Sequence, residues 1–269
     1  MGGSSTPAAA RGRRLVLVVE DDPVNQRALV ALLGSLGYGS EAVSAGMDAV
    51  EACERARFDA VLMDCDLPGM DGFKATAWIR QREGAARHTP IIAVTASVGL
   101  ADREKCLAAG MDDFLPKPVR QDALEQTLRR WLTPNAVAVP AHEDESPPAK
   151  ASCLPPDHPL RALEAKGLAR VAAEIIDVFL QTTPGRLRDI EAACQRGPAP
   201  SLASLCHSLK GAAVLVGARQ MAEVCARMQA AVRAGQGEEL KKMAAELEAD
   251  FGIVSIALQE ESERLAPSR

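Results

Sequence analysis

The sequence predicts two domains of different fold class: a doubly wound, five-stranded parallel α/β sheet, followed by an all-α four-helix bundle. In the first half, short apolar segments alternate with segments of helical periodicity. A Pro-rich stretch containing His142 and His158, both expected to be solvated, then interrupts this pattern, and from Leu160 onward every periodic segment has helical spacing. The expected divisions are a tail or linker at 1–14, the α/β domain at 15–133, a linker at 134–159 and the bundle at 160–266.

The predicted strands of the α/β domain are short apolar runs that end in turn or polar residues. They lie at Leu15–Val19, Tyr38–Val43, Val61–Asp64, Pro90–Ala96 and Asp113–Leu115. The helices that follow them are expected at Pro23–Leu36, Met47–Arg57, Phe73–Glu83, Ala101–Ala109 and Gln121–Leu132. Because each strand is followed by a helix, the strands should run parallel and the helices should cover both faces of the sheet.

The predicted helices after the Pro-rich stretch are rich in Ala and Leu. They lie at Leu160–Lys166, Leu168–Thr182, Gly185–Arg196, Ser201–Val216, Ala218–Ala234 and Glu238–Leu265. The last four are amphipathic, so they predict a four-helix bundle with one or two short helices ahead of it.

Composition argues against several classes of function. The formal charge of −5 is spread evenly, and without a basic face nucleic acid is not expected as a direct partner. The seven cysteines have no metal-type spacing, which favours reduced thiols and a cytoplasmic location. No apolar run reaches the ~18 residues that a membrane span requires, and Met1–Arg14 has no apolar signal core.

Polar residues stand at the carboxyl ends of four predicted strands. Glu20 and Asp21 follow the first strand, and Asp64 ends the third. Thr95 lies at the end of the fourth, and Lys117 follows the fifth. These ends meet at one edge of a parallel sheet, where three carboxylates stay ionised only beside a cation, and oxygen ligands without His or Cys favour Mg²⁺ over zinc. A hydroxyl and an ammonium beside them suit the outer oxygens of a phosphoryl group.

Residues 15–132 resemble a response-regulator receiver domain, which implies a flavodoxin-like or CheY-like sheet and phosphoryl transfer. The resemblance rests on Glu20 and Asp21, on Asp64, on Thr95 and on Lys117-Pro118. It implies that Asp64 is the phospho-acceptor. It also implies that Asp21 and Asp64 bind Mg²⁺ directly, together with the backbone carbonyl of Asp66. Glu20 would act on the ion through water.

The same resemblance assigns roles around the phosphate. Lys117 and Thr95 would contact it, and the Lys117–Pro118 peptide is expected to be cis. Phe114 stands where the family has its switch aromatic, whose ring turns inward when Thr95 moves toward the phosphate.

The predicted helix Ser201–Val216 carries a histidine on its non-core side. The apolar stripe of this helix consists of Leu202, Leu205, Leu209, Ala212 and Val216. His207 lies opposite the stripe, so it is either a solvated surface residue or a reactive one. Gly211, one turn later, costs the helix about 1 kcal/mol relative to Ala, and its bare backbone would let another protein approach the imidazole. Lys210 can offer charge to an anion held on His207.

The run His207-Ser208-Leu209-Lys210-Gly211 resembles the His-x-Leu-Lys-Gly signature of histidine phosphotransfer (Hpt) domains, which are helical bundles. This resemblance implies that His207 is a phospho-acceptor supported by Lys210 and Gly211.

Together the two resemblances predict a phosphorelay carrier. Asp64 would accept a phosphoryl group from a phosphohistidine with Mg²⁺, and His207 would act as a second carrier. The sequence contains no nucleotide-binding signature, so a carrier with catalytic machinery is expected rather than a kinase. The expected partners are a sensor histidine kinase or another Hpt protein and a downstream response-regulator receiver. The sequence is compatible with the C-terminal part of a hybrid sensor kinase, and it leaves open whether Asp64 and His207 exchange phosphate within one chain.

Two alternatives remain at this point. Asp64-Cys65-Asp66 after an apolar strand is also the Asp-x-Asp arrangement of haloacid-dehalogenase-type phosphatases, with the first Asp as nucleophile and the second as general acid. The acidic pair after the first strand and the Hpt-like half argue against it. The other alternative is a phosphate-independent docking module, which would leave the complete acidic cluster without a use.

Overall fold

The computed structural model describes residues 13–84, 87–95, 100–132, 158–197 and 199–265. The strands in these ranges are β1 Leu15–Val19, β2 Gly39–Val43, β3 Ala60–Asp64, β4 Ile91–Thr95 and β5 Asp113–Pro116. They form one five-stranded sheet with the order β2-β1-β3-β4-β5, and every pair is parallel. The predicted parallel sheet is therefore confirmed.

Helices cover both faces of this sheet, as a doubly wound fold requires. They are α1 Pro23–Ser35, α2 Gly46–Arg55, α3 Gly72–Glu83, α4 Leu100–Ala108 and α5 Gln121–Leu132. Val16 and Val18 of β1 pack with apolar residues of α1 and α5, whereas Leu17 and Val19 pack with those of α2 and α3. Side chains that alternate along each strand therefore build two cores. The carboxyl ends of the strands carry the polar residues.

The second part of the described chain is all-helical. Its helices are α6 Pro159–Glu164, α7 Ala169–Arg196, α8 Pro200–Leu215, α9 Arg219–Ala234 and α10 Gly237–Leu265. The four long helices share one apolar core, which agrees with the predicted bundle and with a short helix ahead of it. None of the helices in the described ranges combines the length and apolarity needed to cross a membrane.

The predicted break between Thr182 and Gly185 is wrong, because α7 runs unbroken through Pro184. Proline cannot donate a backbone hydrogen bond. Just ahead of it, the hydroxyls of Thr182 and Thr183 donate to the carbonyl oxygens of Val178 and Phe179, at 2.8 and 2.6 Å. Phe179 is buried ahead of the proline, and apolar residues after it enter the same core. Packing on both sides therefore keeps the helix continuous.

His158 is buried rather than solvated, which corrects the expectation drawn from the Pro-rich stretch. Its Nδ1 accepts a hydrogen bond from the backbone N–H of Leu160 at 3.3 Å and caps α6. The ring lies against Gly217, where any side chain would overlap it. His142, the tail at 1–12 and the linker residues 134–157 lie outside the described residues.

The two parts of the chain contact each other through helices. Val24 and Ala28 of α1 belong to the buried core of the bundle. Leu163 of α6 packs against the cluster beneath α1 and α5, and Lys166 pairs with Asp122 of α5. α1 contacts both α7 and α8, and residues of α8 line one cavity with Glu20 and Asp21, so the carboxyl edge of the sheet faces α8.

Candidate functional site

Three carboxylates meet at the carboxyl edge of the sheet. Glu20 and Asp21 directly follow β1, and Asp64 ends β3, the strand that pairs with β1. Each side chain offers one oxygen, and these oxygens all lie within 4.8 Å of one another. Glu20 and Asp64 are buried, whereas Asp21 is partly exposed.

Lys117 joins this cluster from the end of β5. Its Nζ lies 2.8 Å from Oε2 of Glu20 and 2.7 Å from Oδ2 of Asp64. Burial alone would lower the pKa of the lysine, but the two carboxylates outweigh burial and hold the pKa above its usual value. The Lys117–Pro118 peptide is cis, as expected, and the backbone N–H of Lys117 donates to the carbonyl oxygen of Thr95 at 2.7 Å.

The cluster carries more negative charge than Lys117 compensates. Burial and, after it, the charge of Asp64 raise the pKa of Glu20 to about 8. The same two causes raise the pKa of Asp21 to about 6. A divalent cation held by these oxygens would remove the repulsion, and an all-oxygen donor set suits Mg²⁺. The residues present therefore fit a magnesium ion.

The other predicted receiver residues stand on β4, on β5 and just after β3. Thr95 is buried at the end of β4, and Phe114 is partly buried against the core beneath α2 and α3. The backbone N–H of Asp66 donates to Oδ1 of Asp64 at 3.1 Å. The carboxylate of Asp66 is half exposed and lies outside the group of close oxygens found among the described residues.

His207 faces the α/β domain from α8. Its Nε2 lies 3.3 Å from Oδ2 of Asp66, and its side chain is 23% exposed. On the opposite side of α8, the residues buried in the bundle core include Leu202, Leu209 and Ala212. The imidazole therefore lies on the non-core side, as predicted, and it contacts a residue two positions after Asp64.

A cavity of about 90 Å³ separates the acidic cluster from the histidine helix. Its lining includes Glu20, Asp21, Asn25, Lys117, His207, Ser208, Lys210 and Gly211. The structure thus brings residues of both predicted sites to one space. Lys117 on one wall and Lys210 on the other supply positive charge to it.

Four residues at this junction were not predicted from the sequence. Asp22 is buried, and its Oδ2 lies 2.5 Å from Nη2 of Arg186 and accepts a hydrogen bond from Oγ of Ser208 at 3.1 Å. Asn25 donates from Nδ2 to Oε1 of Glu20 at 3.3 Å. The acid–proline pair at the start of α1 signals a helix cap, but no local pattern indicates the partners of its second oxygen.

Comparison with known families assigns both domains. The response regulator receiver domain family matches residues 16–129, and the Hpt domain family matches residues 174–266. This chain is a receiver domain joined to an Hpt domain. The predicted fold classes and the predicted families are thereby confirmed.

Sensor kinases are among the proteins similar to this receiver–Hpt chain. Sensor protein GacS of Pseudomonas syringae pv. syringae is 34% identical over 227 residues, which are 83% of this chain and 25% of that protein. Sensor histidine kinase GacS of Pseudomonas protegens is 32% identical over 252 residues, which are 91% of this chain and 27% of that protein. The chain thus spans about a quarter of the length of these curated relatives.

A solved receiver domain is also similar to this one. The receiver domain of sensor histidine kinase PA1611 from Pseudomonas aeruginosa PAO1 is 49% identical, and the match covers 45% of this chain and 98% of that domain with a TM-score of 0.42. That structure has a magnesium ion coordinated in its active site cleft.

The two families define the class of function. Magnesium binding is typical of receiver domains, and histidine kinases and response regulator receivers are the general partners of receiver and Hpt domains. The two domains are those of phosphorelay signal transduction. The phosphatase and the phosphate-independent docking module find no support in these comparisons.

Proposed function

We propose that Asp64 of the receiver and His207 of the Hpt domain carry the phosphoryl group in this phosphorelay. One observation supports this most directly: His207 lines the cavity between the domains, and Asp64 contacts Lys117, which lines the same cavity. Lys117 and Lys210 place positive charge on both sides of it. Positive charge held in advance favours the transfer of a group whose oxygens are negative.

The first transfer starts from a phosphohistidine of the donor protein. An oxygen of Asp64 attacks the phosphorus and the P–N bond breaks. The donor imidazole keeps the electron pair, takes up a proton from solvent and leaves as a neutral ring. Asp21, Asp64 and the backbone carbonyl of Asp66 would hold Mg²⁺ directly, and Glu20 would act through water. The ion supplies neutralisation of charge on the phosphoryl oxygens.

Lys117 and Thr95 orient the phosphate on the receiver. The ammonium of Lys117, 2.7 Å from Oδ2 of Asp64, is placed to donate to a phosphate oxygen there. The hydroxyl of Thr95 is the second donor at this edge. When Thr95 moves toward the phosphate, the ring of Phe114 turns inward, and the two residues form the switch.

The second transfer moves the group to the Hpt domain. The lone pair of a ring nitrogen of His207 attacks the phosphorus of the acyl phosphate, and the P–O bond to Asp64 breaks. The carboxylate of Asp64 leaves with the electron pair, and the imidazole releases a proton to solvent. Lys210, on the same cavity wall, stabilises the phosphate on His207. The contact between His207 and Asp66 supports transfer within one chain.

The partners follow from these two steps. The donor is a sensor histidine kinase or another Hpt protein, and the final acceptor is a downstream response-regulator receiver, all in the cytoplasm. The module is the C-terminal part of a hybrid sensor kinase, with the receiver at 15–133, the linker at 134–159 and the bundle at 160–266. The relatives named as a sensor protein and a sensor histidine kinase, of which the chain covers about a quarter, support this arrangement.

The test follows labelled phosphate from acetyl phosphate into the full chain with Mg²⁺. Alkali destroys an acyl phosphate and acid destroys phosphohistidine, so the two products are distinguished. Asp64→Asn should abolish both, and His207→Gln should keep only the alkali-labile product. The matched variants Asp48→Asn and His88→Gln change exposed side chains elsewhere and should label like the wild type. Alkali-stable label of normal yield in Asp64→Asn would contradict the route through Asp64.

A further inference from the structure

We propose that the docking face of the Hpt domain holds one receiver at a time, and that the chain's own receiver covers it as a lid. The docking face consists of Glu174, Arg186, Ser208 and Gly211, on α7 and α8. A downstream receiver must displace this lid before it takes phosphate from the domain. The proposal rests on the proposed role of His207 as a phosphate carrier.

An ion pair between a buried carboxylate and a largely buried guanidinium anchors the lid. Asp22 is fully buried, and its Oδ1 accepts hydrogen bonds from the backbone N–H groups of Val24 and Asn25, both at 2.9 Å. Its Oδ2 faces Arg186 at 2.5 Å and Ser208 at 3.1 Å. A carboxylate that leaves water needs such partners, and here the Hpt domain provides them. The position of Asp22 therefore ties the start of α1 to the docking face.

Apolar and charged contacts continue the fit along α1. Val24 and Ala28 are buried in the core of the bundle, and Arg27 pairs with Glu174, its Nε donating at 3.0 Å. The docking face thus fits a receiver whose first helix offers an acidic cap, a small apolar stripe and a basic residue beside it. This is the chemistry that we expect in the downstream receiver.

The docked lid excludes a second receiver from His207. The imidazole faces Asp66 of the lid, and a Cβ on Gly211 would lie 2.8 Å from Nδ2 of Asn25. Any receiver that takes phosphate from His207 must bring its own acceptor carboxylate to the same imidazole. It therefore meets the same docking face, and the two receivers compete for it.

One unpaired donor in the Asp22–Arg186 ion pair limits how tightly the lid is held on the docking face. Nη1 of Arg186 is buried and has no hydrogen-bond acceptor among the described residues. A buried donor left unpaired is unfavourable, because it has given up water without replacement. The lid is therefore held less tightly than it would be if every donor of Arg186 were paired. Weaker closure allows the lid to open for a downstream receiver.

The test measures phosphoryl transfer between two full-length chains, one acting as the donor and the other as the acceptor that carries the lid. The donor carries His207→Gln and is labelled on Asp64 with acetyl phosphate, which is then removed, while the acceptor carries Asp64→Asn. Label moves between the chains only when the lid of the acceptor is open, so the rate follows the open fraction. Adding Asp22→Asn to the acceptor weakens the pair with Arg186 and keeps a side chain that can cap α1. We expect transfer about tenfold faster, which corresponds to ~1.4 kcal/mol of closure.

A second acceptor variant tests the rim of the docking face. Arg27→Glu places like charge opposite Glu174 and should speed transfer about threefold. Arg55→Glu makes the same charge change on α2, where Arg55 pairs with Glu41, and should leave the rate unchanged. An acceptor with Glu174→Arg should prefer a donor that carries Arg27→Glu over the donor without it.

The outcomes distinguish failure of the lid proposal from failure of the proposed phosphate-carrier function of His207. If transfer to the Asp22→Asn and Arg27→Glu acceptors is no faster than transfer to the Arg55→Glu acceptor, the lid proposal is wrong. Label on His207 of the wild-type chain reports the proposed function independently. If that label never forms, the proposed function fails; if it forms while the acceptors behave alike, only the lid fails.

Discussion

Replacing Gly211 with alanine should strengthen the helix that carries His207 and at the same time slow transfer to it. Alanine in a helix interior is favoured over glycine by about 1 kcal/mol, so the Hpt domain should become more stable. The new Cβ would lie 2.8 Å from Nδ2 of Asn25, and that amide must move away by more than half an ångström. Its 3.3 Å hydrogen bond to Glu20 is then lost. Losing this hydrogen bond destabilises the docked arrangement of the two domains by about 1 kcal/mol. Transfer from Asp64 to His207 should therefore be about fivefold slower.

The assay is rapid-quench measurement of transfer from labelled Asp64 to His207, together with urea unfolding of the same proteins. Gly252→Ala is the matched control, because Gly252 also lies inside a helix and a Cβ there meets nothing within 4 Å. It should gain stability without a change in transfer rate. Asn25→Ala should slow transfer as Gly211→Ala does, and the double variant should be no slower than either, since both act through one amide. A Gly211→Ala protein that transfers as fast as Gly252→Ala refutes this reasoning.

Three further predictions concern metal binding, the bundle core and pH. Without metal, Asp21→Asn should raise the melting temperature, because it removes a charge that is unfavourable through burial and through repulsion by Asp64. It should also remove the stabilisation by Mg²⁺, which in the wild type is about 2.7 kcal/mol at a hundred times Kd. Phe179→Ala should cost the Hpt domain about 3–5 kcal/mol in urea unfolding, and Phe179→Leu far less. Burial would raise the pKa of Glu83, but hydrogen bonds from Thr89 and Arg80 outweigh it and lower the pKa below the ordinary 4.5. This stability is present above pH 4.5 and is lost as pH falls below it, so Glu83→Gln should lose less stability than wild type between pH 6 and pH 3.

The sheet edge could be predicted because each polar residue there is placed by its own strand. Once β1 and β3 are recognised as buried apolar runs, the residues that follow them must meet at the carboxyl edge of a parallel sheet. Glu20, Asp21 and Asp64 do meet there, and Lys117 arrives from the end of β5. Local sequence was sufficient for this part of the site.

Two predictions from the sequence were wrong, one for a helix end and one for the burial of a histidine, because both depend on contacts between distant segments. Pro184 predicts a break, yet α7 continues because buried residues such as Phe179 hold both of its halves in one core. His158 lies in a Pro-rich stretch, yet it is buried because Gly217 leaves space for its ring. In both cases packing between distant segments decided the outcome.

The contact between the two domains depends on complementarity between residues that are far apart in the sequence. It could not be predicted for that reason, and the same complementarity determines which receivers can dock. Asp22 stands in an acidic run, and nothing in its surroundings points to Arg186 as its partner. A buried ion pair adds little net stability, because desolvation offsets much of the attraction, and on separation both charges regain water. Its effect is larger on the choice of partner: a receiver without an acid at this position would leave Arg186 buried and uncompensated when it docks. We therefore expect the docking face to rank receivers by the residue that follows their acidic pair.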